Sequence, residues 1–529
     1  MSSDPEEPLI SLELSDDDGF YQLKKTLQGE FARSQLFPDP LWRLLPRSVT
    51  SFRRRRHLPT YPHVLHNRRL RRIISLINCL FVSTVVLVLF TALFRPSYTH
   101  RPLHYRELER KTLRSHEPGR ANHFDEQIFI AVSLYDKNGH LAGGRWGEQL
   151  LELIDLIGPE NVFLSIYQSD SGNGTALEAF EKKVECRHEI VNDLLISKDD
   201  FPTITMPDGS EHVKRVLYLA EMRNRSLRPL DTAGPVKYDK ILLLNDIYFH
   251  PLDAAQLLFS TNVGRDGRTQ YLAACGLDYS NPFKFYDLFV TRDLEGYSMG
   301  LPFYPIFSNA GRAQSRTQML SQSDAVPVKS CWSGMLAVQA RYIQSTTKSI
   351  PDGFQDIGAH TINPKLPHKV SPPIRFRAEP DLFFDACECC LFLADLLQVA
   401  KNARDDTGVY INPYIRVAYS PRVLAWLPLA RRFERLFSWP HGLATALVHL
   451  PTFNPHRAVD EGDAFEEEVW RQDIHLHGNG SWHLTQRTAR NGLYCGVREM
   501  QVLLNAPRTG DTNWFQWPVP PGQKLYFPT

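Results

Sequence analysis

Residues Ile241 to Asp246 read ILLLND, four aliphatic side chains followed at once by an amide and a carboxylate. Four aliphatics in a row fit a strand buried on both faces, and such strands belong to parallel sheets covered by helices. Upstream, Gln127 to Leu134 (QIFIAVSL) and Asn161 to Tyr167 (NVFLSIY) have the same character. Between them, Trp146 to Ile157 spaces Leu150, Leu151, Leu153, Ile154 and Ile157 near helical period and stops at Gly158-Pro159. Further helices are expected from Thr175 to about Cys186 and from about His212 to Leu227. Strand, helix, strand, helix, strand describes an α/β domain: a mostly parallel sheet with helices on both faces.

The remaining sequence says where this domain works. With 43% hydrophobic and 22% charged residues, the 529-residue chain is ordinary globular protein, and a net charge of +1 argues against nucleic acid as a partner. Residues 1–20 hold seven acids and no Lys or Arg, whereas Ser51 to Arg72 holds eight Arg and no acid. Ile73 to Phe94 then runs 22 residues without a charge. About 20 apolar residues cross a bilayer core of roughly 30 Å. The Arg cluster before this span places the N-terminus in the cytosol by the positive-inside rule. The expectation is a type II protein of the Golgi or another secretory-pathway membrane, with Arg95 to Asn122 as a stem. The charge divides accordingly, +4 through Arg72 and −3 after it. Seven cysteines follow the span, so bridges are allowed and at least one thiol stays free or pairs between chains. Among Cys387, Cys389 and Cys390, a disulfide from one of them is more economical than a zinc site. Sequons at Asn173, Asn224 and Asn479 become usable on the lumenal side.

Ligands of parallel sheets bind beyond the carboxyl ends of the strands. Three of the expected strand ends are polar: Ser133 to Asp136, Gln168 to Asn173, and Asn245-Asp246. One acid there is ordinary turn chemistry. Three such ends in a lumenal protein point to a nucleotide-sugar site, where a carboxylate holds Mn²⁺ or Mg²⁺ and the cation neutralises a departing diphosphate.

Several blocks resemble a known family. RVLYLAEMRNRSLRPL (Arg215 to Leu230), LLLNDIYF (Leu242 to Phe249), ACGLDYSNPFKFYDLFVTRD (Ala274 to Asp293), VKSCWSGMLAV (Val328 to Val338), RFRAEPDLFFDACECCLFLADL (Arg375 to Leu396) and INPYIRVAYS (Ile411 to Ser420) are similar to successive blocks of the fungal capsule-associated α-1,3-mannosyltransferases, glycosyltransferase family 69. The resemblance covers roughly residues 127–439, with Gln168 standing where the family is expected to have Glu. It implies a GT-A-like fold, GDP-mannose as donor, an α-mannoside acceptor and transfer with retention. Asp246 is then the expected metal ligand. Ser133, Tyr135, Asp170, Arg223, Asn224 and Asn245 are expected around the nucleotide sugar. Asp278, Glu388 and Asp293 are expected to do acceptor or catalytic work, out of a wider set of acids that includes Asp287 and Asp395. Trp332 is a candidate stacking platform, although a core Trp explains it too, and Tyr297, Phe303, Tyr304 and Phe307 suggest an acceptor-side loop. The expected organisation is a cytosolic tail (1–72), one transmembrane helix (73–94), a stem (95–122), the transferase domain (123–439) and a partly packed C-terminal extension (440–529). A non-catalytic membrane adaptor or polysaccharide export factor on a transferase-like fold is the alternative.

Overall fold

The computed structural model describes residues 68–169, 174–193, 200–231, 236–344, 370–405, 407–448, 455–472, 480–504 and 513–521. The chain divides between Pro96 and Ser97 into two compact units. In the first, α1 (Arg68–Phe94) is one continuous helix that contains the uncharged stretch, and most of its large apolar side chains are exposed. Among the described residues it is the single helix long and apolar enough to cross a membrane.

The second unit opens with a correction. The segment read as a stem is not a free spacer, because from Ser97 onward it belongs to the domain. Tyr98 is buried, and α2 (Leu103–Arg114) buries Tyr105 and Leu108. Asn412 donates to the Tyr105 hydroxyl, so the segment is tied into the core by side chains that a polar, basic composition conceals.

The expected strands form where the aliphatic runs stand: β1 (Ile128–Leu134), β2 (Val162–Ser169) and, after the edge strand β3 (Arg187–Asp193), β4 (Lys240–Leu244). Helix α3 (Arg145–Ile157) crosses from β1 to β2, and α4 (Arg215–Leu227) precedes β4. This second helix starts later than expected. Glu211–His212 pairs with Ile204–Thr205, and the Lys214 ammonium is held by the carbonyls of Glu379, Asp381 and Phe384 and by Asp385. The helix expected to reach Cys186 ends at Glu181, which frees the chain to enter β3.

Beyond β4 come α5 (Pro251–Ser260), β5 (Ala273–Asn281), β6 (Lys284–Phe285), β7 (Arg292–Asp293), β8 (Val326–Ser330), β9 (Met335–Gln339), α6 (Glu388–Asn402) and β10 (Val409–Ala418). The sheet order is β3-β2-β1-β4-β9-β5-β10-β8-β7, with β6 beside β5. β3, β2, β1 and β4 are mutually parallel, as are β5 and β10. β6, β8 and β9 run against the rest, which makes a mixed, mostly parallel sheet. α4 packs on β1 and β2 and touches α6, whereas α3 and α5 pack together, with α5 on β5, β9 and β10. The helices thus cover both faces.

The C-terminal extension is part of this architecture. Cys495 is bridged to Cys390 in α6, and Arg292 donates to the carbonyls of Tyr494 and Cys495. Met500 and Val502 are fully buried, and Gln501–Leu503 pairs with Trp514–Gln516. A second disulfide joins Cys275 of β5 to Cys331, just before Trp332.

Candidate active site

The carboxyl ends of β1, β4, β5 and β10 lie together along one edge of the sheet. Asn245 N–H donates to Gly334 O at 2.9 Å, which sets the end of β4 beside the turn Trp332-Ser333-Gly334. Gly334 has φ +65°, and a Cβ there would stand 2.8 Å from Ile247 Cγ2, so only glycine lets the two segments approach this closely. Tyr248 exchanges both backbone hydrogen bonds with Ala418, drawing in the end of β10.

Asp246 is 5% exposed at this edge. Asp136, beyond β1, accepts the Leu141 and Ala142 N–H groups on its Oδ2. Burial raises the Tyr248 phenol above its ordinary range, and the charges of Asp136 and Asp246 both add to the shift. Ser133 is buried at the end of β1, Tyr135 is half-buried, and Asn245 is half-buried with its carbonyl accepting from Trp146 Nε1. Asp170 lies outside the described residues.

Next to Asp246 is a buried cluster. Arg223 Nη1 meets Glu388 Oε1 at 2.7 Å, and the guanidinium lies 4.8 Å over the Trp332 ring. Burial opposes the Arg223 charge, yet Cys389, Glu388, Cys387 and Asp287 outweigh it and hold the guanidinium protonated. Asp287 Oδ2 accepts from Ser333 N–H at 2.8 Å. Beneath it, Asp278 is fully buried and takes the Asp287 N–H and the Tyr419 hydroxyl. Burial pushes both acids up. The Asp287 charge adds to the rise at Asp278, which stands well above the ordinary carboxylate range, and the Glu388 charge adds to the rise at Asp287, which reaches about 6.

Four buried polar atoms of this cluster have no hydrogen-bond partner among the described residues: Arg223 Nε, Asp287 Oδ1, Trp332 Nε1 and Ser333 Oγ. Native proteins leave few such atoms, and each asks for a ligand or water. Two are donors, one is an acceptor and one is a hydroxyl, which is the complement of a polyhydroxylated molecule.

Not every expected residue joins this group. Asn224 is spent on structure, with its amide donating to Phe376 O and accepting from Phe376 N–H, both at 2.8 Å. Buried and doubly bonded, its side chain has no route to a transferase in the folded state. Glycopeptide mapping after enzymatic deglycosylation in heavy-oxygen water should leave the Asn224 peptide unlabelled. A labelled Asn224 would mean that modification precedes folding. Asn173 and Asn479 lie outside the described residues. Asp293 is held elsewhere, its Oδ1 closing a turn through the N–H groups of Glu295 and Tyr297, with burial lifting it to about 6. Asp395 is locked in a two-toothed pair with Arg377. Tyr297, Tyr304 and Phe307 are buried in the domain, so this segment is not a displayed aromatic loop.

The thiols of Cys387 and Cys389 and the Glu388 carboxylate place ligand-type atoms within 4.8 Å of one another. Arg223 already occupies Glu388, and its charge opposes a cation there. A cavity of about 190 Å³ lined by Glu126, Lys240, Arg268 and His123 lies near the opposite end of β1 and β4, away from the acids at the carboxyl edge.

Asp287 is the residue that sequence reasoning passed over. The signal was local, because FYDL in the block after β5 puts it one short turn from Asp278, but which of the two acids is sealed depends on packing.

The family described as Cryptococcal mannosyltransferase 1 matches residues 127–395, more than half of the chain and nearly all of the sheet edge just described. The chain belongs to this family. It is a glycosyltransferase, and the match ends within α6, short of the residue 439 expected from the sequence blocks. Among solved structures it is similar to the mannosyltransferase PcManGT from Pyrobaculum calidifontis in complex with GDP-Man and Mn²⁺, at 10% identity over 70% of this chain and 78% of that one, TM-score 0.29. It is also similar to glucosyl-3-phosphoglycerate synthase from Mycobacterium tuberculosis with Mn²⁺, UDP and phosphoglyceric acid, at 14% identity over 75% and 94%, TM-score 0.26. Likenesses this distant say nothing of this mannosyltransferase-family chain's own substrates. No protein of curated function matches it.

Proposed function

We propose that the chain is a type II membrane glycosyltransferase that moves mannose from GDP-mannose to an α-mannoside acceptor, with retention and in α-1,3 linkage, for fungal glycan or capsule synthesis. The observation that carries the reading is the family's match to the stretch that brings Asp246, Arg223, Asp287, Trp332 and Glu388 to one sheet edge. The N-terminal tail is cytosolic on this reading, and the domain after α1 is lumenal, in the Golgi or another secretory membrane.

Asp246 offers the hard oxygen ligand that Mn²⁺ or Mg²⁺ takes, and a cation held there would neutralise the diphosphate as it leaves. Arg223 does not reach for the diphosphate as a free cation. Paired with Glu388 and stacked on Trp332, it is a fixed wall of the sugar site, presenting Nε–H toward a hydroxyl. Asp287 Oδ1 accepts from a second hydroxyl and Trp332 Nε1 donates to a third. Asp278, below, accepts the Asp287 N–H and helps to keep Asp287 in place.

The charge on Asp287 sets a pH dependence. Its pKa in the folded protein is raised to about 6, so the carboxylate appears only as pH rises through that value. As an acceptor of sugar hydroxyls it is most effective when ionised, and kcat/KM should fall on the acid side of about pH 6. Asp287→Asn should lower kcat/KM by about 10²-fold and flatten that limb. A limb unchanged in the variant would assign the titration to another group.

The direct test is the full chain in lipid nanodiscs with Mn²⁺, GDP-mannose and a panel of α-mannosides, with the anomeric configuration of the product read by NMR. Competition by UDP-sugars in place of GDP would redirect the donor. Absence of GDP binding by calorimetry with Mn²⁺ present would favour the adaptor reading.

A further inference from the structure

Helix α7 (Pro421–Ala430) buries Leu424, Leu427 and Ala430, which leaves Trp426 51% and Leu429 45% exposed on its other side. Helix α8 (Ser438–Leu447) is inverted more strongly. It buries His441 and Thr445 and turns outward Trp439, Leu443 and Leu447, at 82%, 56% and 68% exposed. Residues 439, 443 and 447 are four apart and share one face. His441 is used inside, with Nε2 on Leu301 O and Nδ1 on Arg316, so the helix has its polar groups toward the domain and its apolar groups toward the outside. A helix bathed in water has the reverse pattern. Arg422 and Arg432 are exposed in the same segment. Phe283, itself 36% exposed, packs edge-on against Phe437 and extends the apolar surface.

The covalent chain fixes what lies nearby. Arg431, directly after α7, accepts the Ser97 N–H on its carbonyl at 2.8 Å and donates from Nη1 to Tyr98 O at 2.9 Å. Phe94 ends α1, so two residues separate the apolar helix from a residue bonded to the end of α7. Fully extended, those links reach about 11 Å. Three links of chain are therefore all that joins Phe94 to the domain residue that Arg431 holds.

We infer that the outer faces of α7 and α8 form a membrane-interface surface, seated in the headgroup region of the bilayer that α1 enters. The inference rests on α1 spanning that bilayer. Trp is the residue of the headgroup level, Leu side chains enter just below it, and Arg422 and Arg432 keep their heads among lipid phosphates while their stems lie along apolar surface. The occupant is therefore bilayer containing anionic lipid, and the surface holds the transferase domain in one attitude against the membrane instead of letting it tumble on its tether.

The test uses the full chain in nanodiscs of phosphatidylcholine with a third phosphatidylserine, prepared with and without lipids brominated near the headgroup. Bromine should quench part of the tryptophan emission, and the Trp426→Phe/Trp439→Phe double variant, which alters only exposed rings, should lose most of that quenching. Equal quenching in wild type and variant would overturn the inference. Absent quenching together with two chains per disc would assign the face to a second copy and overturn it as well. Alkaline carbonate extraction separates the two readings. A chain that resists extraction but shows no quenching at these rings spans without docking, whereas a chain released by carbonate does not span at all.

Discussion

Asp246→Ala should lower mannosyl transfer by about 10²–10³-fold while the protein stays folded, the loss expected when a preorganised group that stabilises departing charge is removed. Folding should survive because Asp246 lies past the end of β4, outside the ladder. The charges of Asp246 and Asp136 both push the Tyr248 phenol up, so loss of one relieves part of that shift. The second readout is free of turnover: Mn²⁺ with GDP should raise the melting temperature of the wild type and leave the variant unmoved. Asp246→Asn, which keeps the shape and loses the charge, should behave like the Ala variant. Full activity in either would detach the metal from this residue.

Glu388→Ala should cost about 3–5 kcal/mol of stability, the usual consequence of stripping the partner from a buried charge. Arg223 would be left protonated in a site where it is 8% exposed, against an indole face and two buried thiols, with Asp287 acting on it only from beyond ion-pair distance. A fall of the melting temperature of about 3–6 °C is the corresponding observation for a domain of this size. The double variant Arg223→Met/Glu388→Leu should recover most of the stability, since no charge is then stranded, but none of the activity. Recovery of both would reduce the pair to a packing device. An unchanged melting temperature in the single variant would mean that water or ligand already compensates Arg223.

The sheet was legible wherever burial on both faces forces an unbroken aliphatic run, as in Ile128–Leu134 and Lys240–Leu244. It was not legible where strands pair over long distances. Nothing in MLAVQ announces that Met335–Gln339 inserts antiparallel between β4 and β5. The site shows the same division. Arg223, Glu388, Asp278 and Trp332 can be chosen singly from their blocks, yet that Arg223 is bound to Glu388 and roofs Trp332 is tertiary information. Asp278 and Asp287 look alike in sequence, and only packing shows that the first is sealed and the second presents an unpartnered oxygen. Asn224 sits in a promising helix end, and a backbone from the far side of the fold claims it. The polar segment after the span misled for a similar reason, because two tyrosines anchor it where composition suggested a spacer.

The bridge between Cys390 and Cys495 bears on how the protein comes into being. Glu388 opens the helix that this bridge fastens, and the carbonyls of Tyr494 and Cys495 receive the Arg292 guanidinium. A chain emerging from the ribosome presents its apolar helix, sheet and acids before residue 495. The centre therefore cannot be finished until that residue has emerged. Any product released before residue 495 would have its apolar helix, its sheet and its acids, but would lack the bridge that fastens the helix opened by Glu388, and would remain an unripened polypeptide.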